Sequence, residues 1–215
     1  HSLGGEGVNR LCYAGSTLQT RARSLAASRS PLQLGAELYG DTSPMADLEV
    51  IELMLALFEA AGLDEASLTL DLGPGNLFAA VLEAAEVSDS QARAKILDAI
   101  QRKSRPDLAA LAAELPDASA ELLTDLIDLH GGVEALDRAE ELLAQIPGAM
   151  AAIAEIRGLV AGLQGRRPNL AIFIDLAELR GYRYHTGVVF AAYARGLGEA
   201  LGRGGRYDNV GAVYG

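Results

Sequence analysis

Hydrophobic and polar positions change period three times along the chain. From Leu32 to Tyr39 they alternate, with Leu32, Leu34, Ala36 and Leu38 on one face and Gln33, Gly35 and Glu37 on the other. The stretch Arg10–Arg21 holds aromatic and β-branched residues and a Gly, and an irregular Ser/Arg/Ala stretch separates it from Pro31. The two runs predict an antiparallel strand pair joined by a long loop. From Pro44 to Arg167 the pattern is mostly helical. Asp47 is placed to cap a helix carrying Leu48, Ile51, Leu55 and Phe58, which Gly62 ends. Ser67–Leu72 alternates and predicts a strand. Helices are then expected near 76–86, 88–103, 106–114, 118–129, 132–145 and 147–163. Pro106, Pro116, Gly131-Gly132 and Pro147-Gly148 punctuate them. Their spacing is uneven, which excludes a repeat array. Strand patterns return at Asn169–Leu176 and Arg180–Tyr193, and a Gly-rich turn leads to Gly204-Gly205-Arg206-Tyr207-Asp208.

The expected organisation is therefore α+β with a mainly antiparallel sheet. Residues 1–43 begin a sheet domain, 44–167 form a mostly helical segment including an insertion, and 168–215 return to the sheet. Strands and single helices do not alternate strictly, which argues against a doubly wound parallel sheet.

Composition narrows the function. Half of the 215 residues are hydrophobic, enough for a sizeable core, and the net charge is −11. That charge disfavours a protein gripping nucleic acid through a broad basic face. The single cysteine, Cys12, excludes a disulfide framework, fits a reducing cytoplasm and reads as a core residue. No apolar run is long enough to span a membrane. His1, His130 and His185 show no metal-ligand spacing, and His130 reads as a helix-end residue. Neither a Gly-x-Gly-x-x-Gly fingerprint nor a phosphate-binding loop is present. Asp71 and Asp175 are carboxylates near strand ends, without partners that sequence can identify.

Three segments could build a binding site. Gln33 and Glu37 flank Gly35, where the missing side chain would leave room for a ligand. Arg180 suits a carboxylate or phosphate, with Tyr182, Tyr184 and His185 nearby. Strict alternation puts Tyr184 and His185 on opposite faces, and the sequence does not choose between them. Tyr207 follows a Gly pair that would let backbone approach a ligand closely. Each segment also reads as ordinary strand and turn chemistry.

Together, and in this order, Gln33-x-Gly35-x-Glu37, Arg180-Gly181-Tyr182-Arg183-Tyr184-His185-Thr186-Gly187 and Gly204-Gly205-Arg206-Tyr207-Asp208 resemble the catalytic domain of class II histidyl-tRNA synthetases. The chain is more similar still to a paralogous family, the regulatory subunits of ATP phosphoribosyltransferase. The likeness covers nearly the whole chain, most loosely in the helical middle. It implies a class II synthetase-like antiparallel sheet flanked by helices. The synthetase pattern Phe-Arg-x-Glu aligns with Leu18-Gln19-Thr20-Arg21. Gln19 thus replaces the catalytic Arg and Arg21 replaces the Glu, so no cation stands for an α-phosphate.

The resemblance accordingly implies a non-catalytic regulatory subunit in histidine biosynthesis, with no catalytic residues, cofactor or metal. Its partners would be a short-form phosphoribosyltransferase catalytic subunit and a second copy of itself, and L-histidine would be its effector. Binding to tRNA or membrane is not expected. Gln33 and Arg180 would suit the amino-acid backbone groups. Glu37 and Tyr207 would suit the imidazole, and Tyr184 or His185 would complete the pocket. The alternative is a divergent fragment of a histidyl-tRNA synthetase catalytic domain. The family pattern also places a helix and strand before His1 and a further strand and helix after Gly215, so the chain reads as the interior of a longer one.

Overall fold

The computed structural model describes residues 7–20, 28–113, 115–178 and 185–208. Strands β1 (Asn9–Ser16) and β2 (Leu32–Tyr39) form an antiparallel ribbon, as their patterns predict, with Tyr13 opposite Gly35 and Leu11 opposite Glu37. The apolar face of β2 is not covered by any described residue at its far end, where Leu32 and Leu34 are 70% and 60% exposed. Cys12 shares that face and is exposed, not a core residue.

The second sheet has the order β4-β5-β3-β6-β7 and is mixed. Strand β3 (Leu68–Pro74) is central, parallel to β5 (Ala171–Asp175) and antiparallel to β6 (Val188–Ala194). Strand β7 (Gly202–Gly205) closes one edge, and the two-residue β4 (His130–Gly131) closes the other. His130 is therefore a strand residue opposite Asp175, with its ring centroid 6.1 Å from that of Phe173, and it caps no helix. Such a short bridge leaves no periodicity to read.

Helix α1 (Pro44–Ala60) begins one turn earlier than its apolar pattern implies. Ser43 occupies the N-cap position, and Pro44 stands where a missing N–H costs nothing. Asp47 lies in the first turn and is not the cap. Leu48, Ile51 and Leu55 form its buried stripe, and Gly62 (φ 88°) takes the left-handed conformation just beyond its C-terminus. The helices α2 (Leu77–Ala84), α3 (Ser90–Gln101), α4 (Arg105–Ala112), α5 (Asp117–Leu126), α6 (Glu134–Leu143) and α7 (Pro147–Arg166) follow. Each begins within three residues of its expected start. The core runs from the inner faces of α1, α2 and α7 onto Leu68, Leu70 and Leu72 of β3. The long α7 buries Ile153, Ile156, Val160 and Leu163 at i, i+3, i+4 spacing.

Polar clusters tie these layers together. Arg167, 15% exposed, follows α7 and pairs with Glu52 (3.0 Å) and Glu59 of α1 and with Glu65 (3.3 Å). Asp175 is buried, pairs with Lys103 at 2.8 Å, and accepts from the Ala177 amide at 3.1 Å. Its partner was invisible in the sequence because Lys103 lies 72 positions away, past the end of α3.

Candidate functional site

Backbone register brings two of the three candidate segments side by side. The Gly75 amide donates to the Gly187 carbonyl (2.8 Å), which extends the β3–β6 ladder by one step. Beyond β7, the Arg206 amide donates to Val188 O (2.9 Å), and the Thr186 amide donates to Arg206 O (2.8 Å). Thr186 and Asp208 complete the pairing. The threonine hydroxyl donates to Asp208 Oδ2 (2.7 Å) and accepts from the Asp208 amide (2.9 Å). His185 sits at the head of this arrangement. A Cβ placed on Gly205 would fall 2.7 Å from His185 Nε2, so the imidazole lies against the Gly205 backbone.

The third segment joins through one carboxylate. Tyr207 donates its hydroxyl to Glu37 Oε2 at 2.7 Å across 170 positions of sequence, and Tyr39 donates to the same oxygen. Among the described residues Oε1 of Glu37 has no hydrogen-bond partner. Burial and then the Glu37 carboxylate push the Tyr207 hydroxyl well above the ordinary tyrosine range. Tyr39 is raised chiefly by its bond to Glu37, with burial next. Both phenols therefore stay neutral donors toward the carboxylate.

Gln33 stands two residue pairs along the same face. Its Nε2 donates to the Tyr13 hydroxyl at 3.0 Å. The space above Gly35, expected to be left for a ligand, is taken by the chain's own Tyr13. A Cβ there would meet the ring Cζ at 2.2 Å. The Gly204-Gly205 pair is likewise filled from within, by the Phe190 ring over Gly204 and His185 over Gly205. Gly204→Ala would drive a methyl to 2.2 Å from Phe190 Cζ. Its expected cost is about 2 kcal/mol of stability, from overpacking against a buried ring. Thermal unfolding of the variant checks this.

Arg206 supports the site from behind. Its Nε donates to Asp47 Oδ1 (3.0 Å) and its Nη2 to the Ser43 carbonyl (2.9 Å), with Asp208 Oδ1 at 3.3 Å from Nη1. Burial works against its charge, but the bond to Asp47 raises its pKa overall. Burial raises Asp47 despite that bond, and burial together with Asp47 raises Glu155. These acids, Thr186 and Arg206 line a cavity of about 170 Å³. No local spacing marks Arg206 for this role, since the clamp spans 159 positions.

Arg180, Tyr184 and Arg21 lie outside the described residues. Gln19 lies just beyond β1, half-exposed, with its backbone paired to Arg29 (N to O, 2.8 Å). Of the expected site residues, Glu37, Tyr207 and His185 are thus gathered at the ends of β2, β6 and β7, and Gln33 faces the same way farther along β2. No group of His, Cys, Asp and Glu among the described residues could hold a metal ion.

The family model described as histidyl-tRNA synthetase matches residues 1–215. The chain is 46% identical over 216 residues to a protein of Pseudomonas savastanoi pv. phaseolicola named ATP phosphoribosyltransferase regulatory subunit, covering 100% of this chain and 54% of that one. An Azotobacter vinelandii protein of the same name is 45% identical with the same coverage. The chain thus spans about half the length of the curated relatives it matches. Among solved structures it is similar to an ATP phosphoribosyltransferase regulatory subunit/histidyl-tRNA synthetase from Bacillus halodurans (TM-score 0.80, 30% identity, 93% of this chain and 52% of that one). An ATP phosphoribosyl transferase (HisG:HisZ) complex from Thermotoga maritima shares the fold (TM-score 0.73, 20% identity, 97% and 72% covered).

Proposed function

Given that the chain belongs to the histidyl-tRNA synthetase family over residues 1–215, we propose that it serves as the regulatory subunit of an ATP phosphoribosyltransferase and charges no tRNA. The observation that carries this reading is the match of the whole chain, at 46% identity, to proteins named as that subunit. Gln19, where a synthetase would present an arginine to the α-phosphate, points the same way. An amide cannot supply the cation that adenylation needs.

In this reading the subunit works in the cytoplasm, self-associates as a dimer, and assembles with a short-form catalytic subunit that joins ATP to phosphoribosyl pyrophosphate. L-Histidine is the effector. Glu37 and Tyr207 serve the imidazole, the carboxylate as acceptor for a ring N–H and the Tyr207 hydroxyl, whose own proton goes to Glu37, as a second oxygen beside the ring, with His185 or Tyr184 next to them. Gln33 and Arg180 take the amino and carboxylate groups. Such a site rejects ring analogues that leave its buried polar groups unpaired. Feedback follows if histidine binds two quaternary states of the complex unequally. Among the described residues, no helix is long and apolar enough to cross a membrane.

The test is co-purification of the full chain with a short catalytic subunit, then phosphoribosyl transfer with and without histidine. A stable complex whose activity falls with histidine is expected. Histidine-dependent exchange of pyrophosphate into ATP by the chain alone would overturn the reading in favour of a synthetase.

A further inference from the structure

We propose that Thr186 is a positioning residue of the imidazole pocket, holding Tyr207 against Glu37 by fastening the residue that follows it, Asp208. The inference rests on the histidine site proposed above. Tyr207 reaches Glu37 from one sheet to another, because β2 belongs to the ribbon and β7 to the second sheet. The ladder of β7 ends at Gly205, opposite Val189. One further step fixes Arg206, whose amide donates to Val188 O (2.9 Å) and whose carbonyl accepts from the Thr186 amide (2.8 Å). On the other side of Tyr207, the Asp208 amide donates to a side chain, Thr186 Oγ1, at 2.9 Å. The same hydroxyl donates to Asp208 Oδ2 at 2.7 Å.

The direction of these bonds is settled by their partners. A backbone N–H only donates and an ionised carboxylate only accepts, so the Thr186 hydroxyl accepts from the first and donates to the second. Tyr207 is thus fastened on both flanks by one residue, through the Thr186 backbone at 206 and the Thr186 side chain at 208. Alternation sends Arg206 toward Asp47 of α1 and Tyr207 the other way, toward Glu37. A hydroxyl at the far end of a ring moves with any turn of the backbone beneath it, and a hydrogen bond weakens steeply as its angle worsens. Without the anchor at 208 only one flank stays fixed. The phenol then drifts from Oε2, and Glu37 loses one of the two donors that orient it. Thr186 acts through Tyr207, without needing to touch the ligand.

The test titrates the full chain with L-histidine by calorimetry. Thr186→Val keeps the β-branched shape and the backbone bond to Arg206, and exchanges only the hydroxyl for a methyl. Histidine affinity is expected to fall about fivefold, the worth of one ordinary hydrogen bond. Thr186→Ser returns the hydroxyl and should bring affinity back to within about twofold of the unsubstituted chain. In a Tyr207→Phe background, Thr186→Val should cost less than about a further twofold, because its effect runs through the phenol. Unchanged affinity in Thr186→Val, an equal loss in Thr186→Ser, or additive losses in the double variant would each overturn the assignment while leaving the histidine site standing. If the unsubstituted chain binds no histidine, the proposed site fails and this inference falls with it.

Discussion

Replacing Glu37 by Gln is expected to lower histidine affinity by about a hundredfold, the equivalent of roughly 3 kcal/mol. The carboxylate does two jobs at once. Oε2 accepts from both Tyr207 (2.7 Å) and Tyr39, which fixes its orientation, and Oε1 remains for the imidazole N–H of the proposed effector. Glutamine is nearly the same size but carries only one acceptor. If its oxygen keeps the tyrosines, an NH2 faces the imidazole N–H, donor against donor. If its oxygen turns to the ligand, two phenol donors meet an NH2. Either choice leaves polar hydrogens without acceptors in a half-buried place and removes a charge-assisted bond. Tyr207→Phe removes one donor and leaves the carboxylate charged, so a smaller loss of about tenfold is expected. Calorimetric titration of the full chain with histidine reads both. Affinity within about threefold of the unsubstituted chain for Glu37→Gln would remove the imidazole from this carboxylate.

Glu37 and Tyr207 were legible in the sequence, but Tyr39 and the joining of the three were not. Alternation along β2 put Gln33 and Glu37 on one face, and the family's segment order named Tyr207 beside them. Nothing in the spacing says that Tyr207 lies on Glu37, because the contact depends on how β7 leaves the second sheet and returns to the ribbon. Helix starts were readable because Pro and Gly act locally on backbone dihedrals. Pro147 opens α7 and Pro116 immediately precedes α5. The misreadings all concern neighbours. Cys12 looks like a core residue by type, yet it is exposed on a ribbon face whose far end no described residue covers. Asp47 looks like a cap by type, but Ser43 and Pro44 start the helix and free Asp47 for Arg206. Gly35 looks like an opening until the cross-strand partner proves to be a tyrosine. A side chain's identity fixes what it can bond, and only the fold fixes what arrives.

Arg206→Ala should cost about 3 kcal/mol, or a fall in melting temperature of roughly 6–12 °C for a chain of this size. The guanidinium is 14% exposed and its chief partner, Asp47, 20%, so solvent replaces little of what is lost. Truncation leaves Asp47 and Glu155 facing Asp208 with no cation between them, and it frees the Ser43 carbonyl next to the start of α1. The pH dependence separates charge from packing. Asp47 and Glu155 already hold their protons more tightly than in an unfolded chain, chiefly through burial, with repulsion from Asp208 and Asp41 adding for Asp47 and from Asp47 and Asp208 for Glu155. Removing Arg206 takes away the one contribution that lowers both, so their folded pKa values rise further. A carboxyl raised in the folded state favours folding while protonated, and that advantage is lost as pH climbs from the ordinary carboxylate range through the raised value. The deficit of Arg206→Ala should therefore be smaller near pH 5 than near pH 8. Arg206→Lys keeps a cation but lacks the fork that reaches Asp47 and Ser43 O together, and it should recover part of the loss with a weaker pH trend. A deficit that stays constant between those pH values would assign the clamp to the Ser43 bond and to packing. The acidic wall of the cavity would then have no part in holding the second sheet against α1.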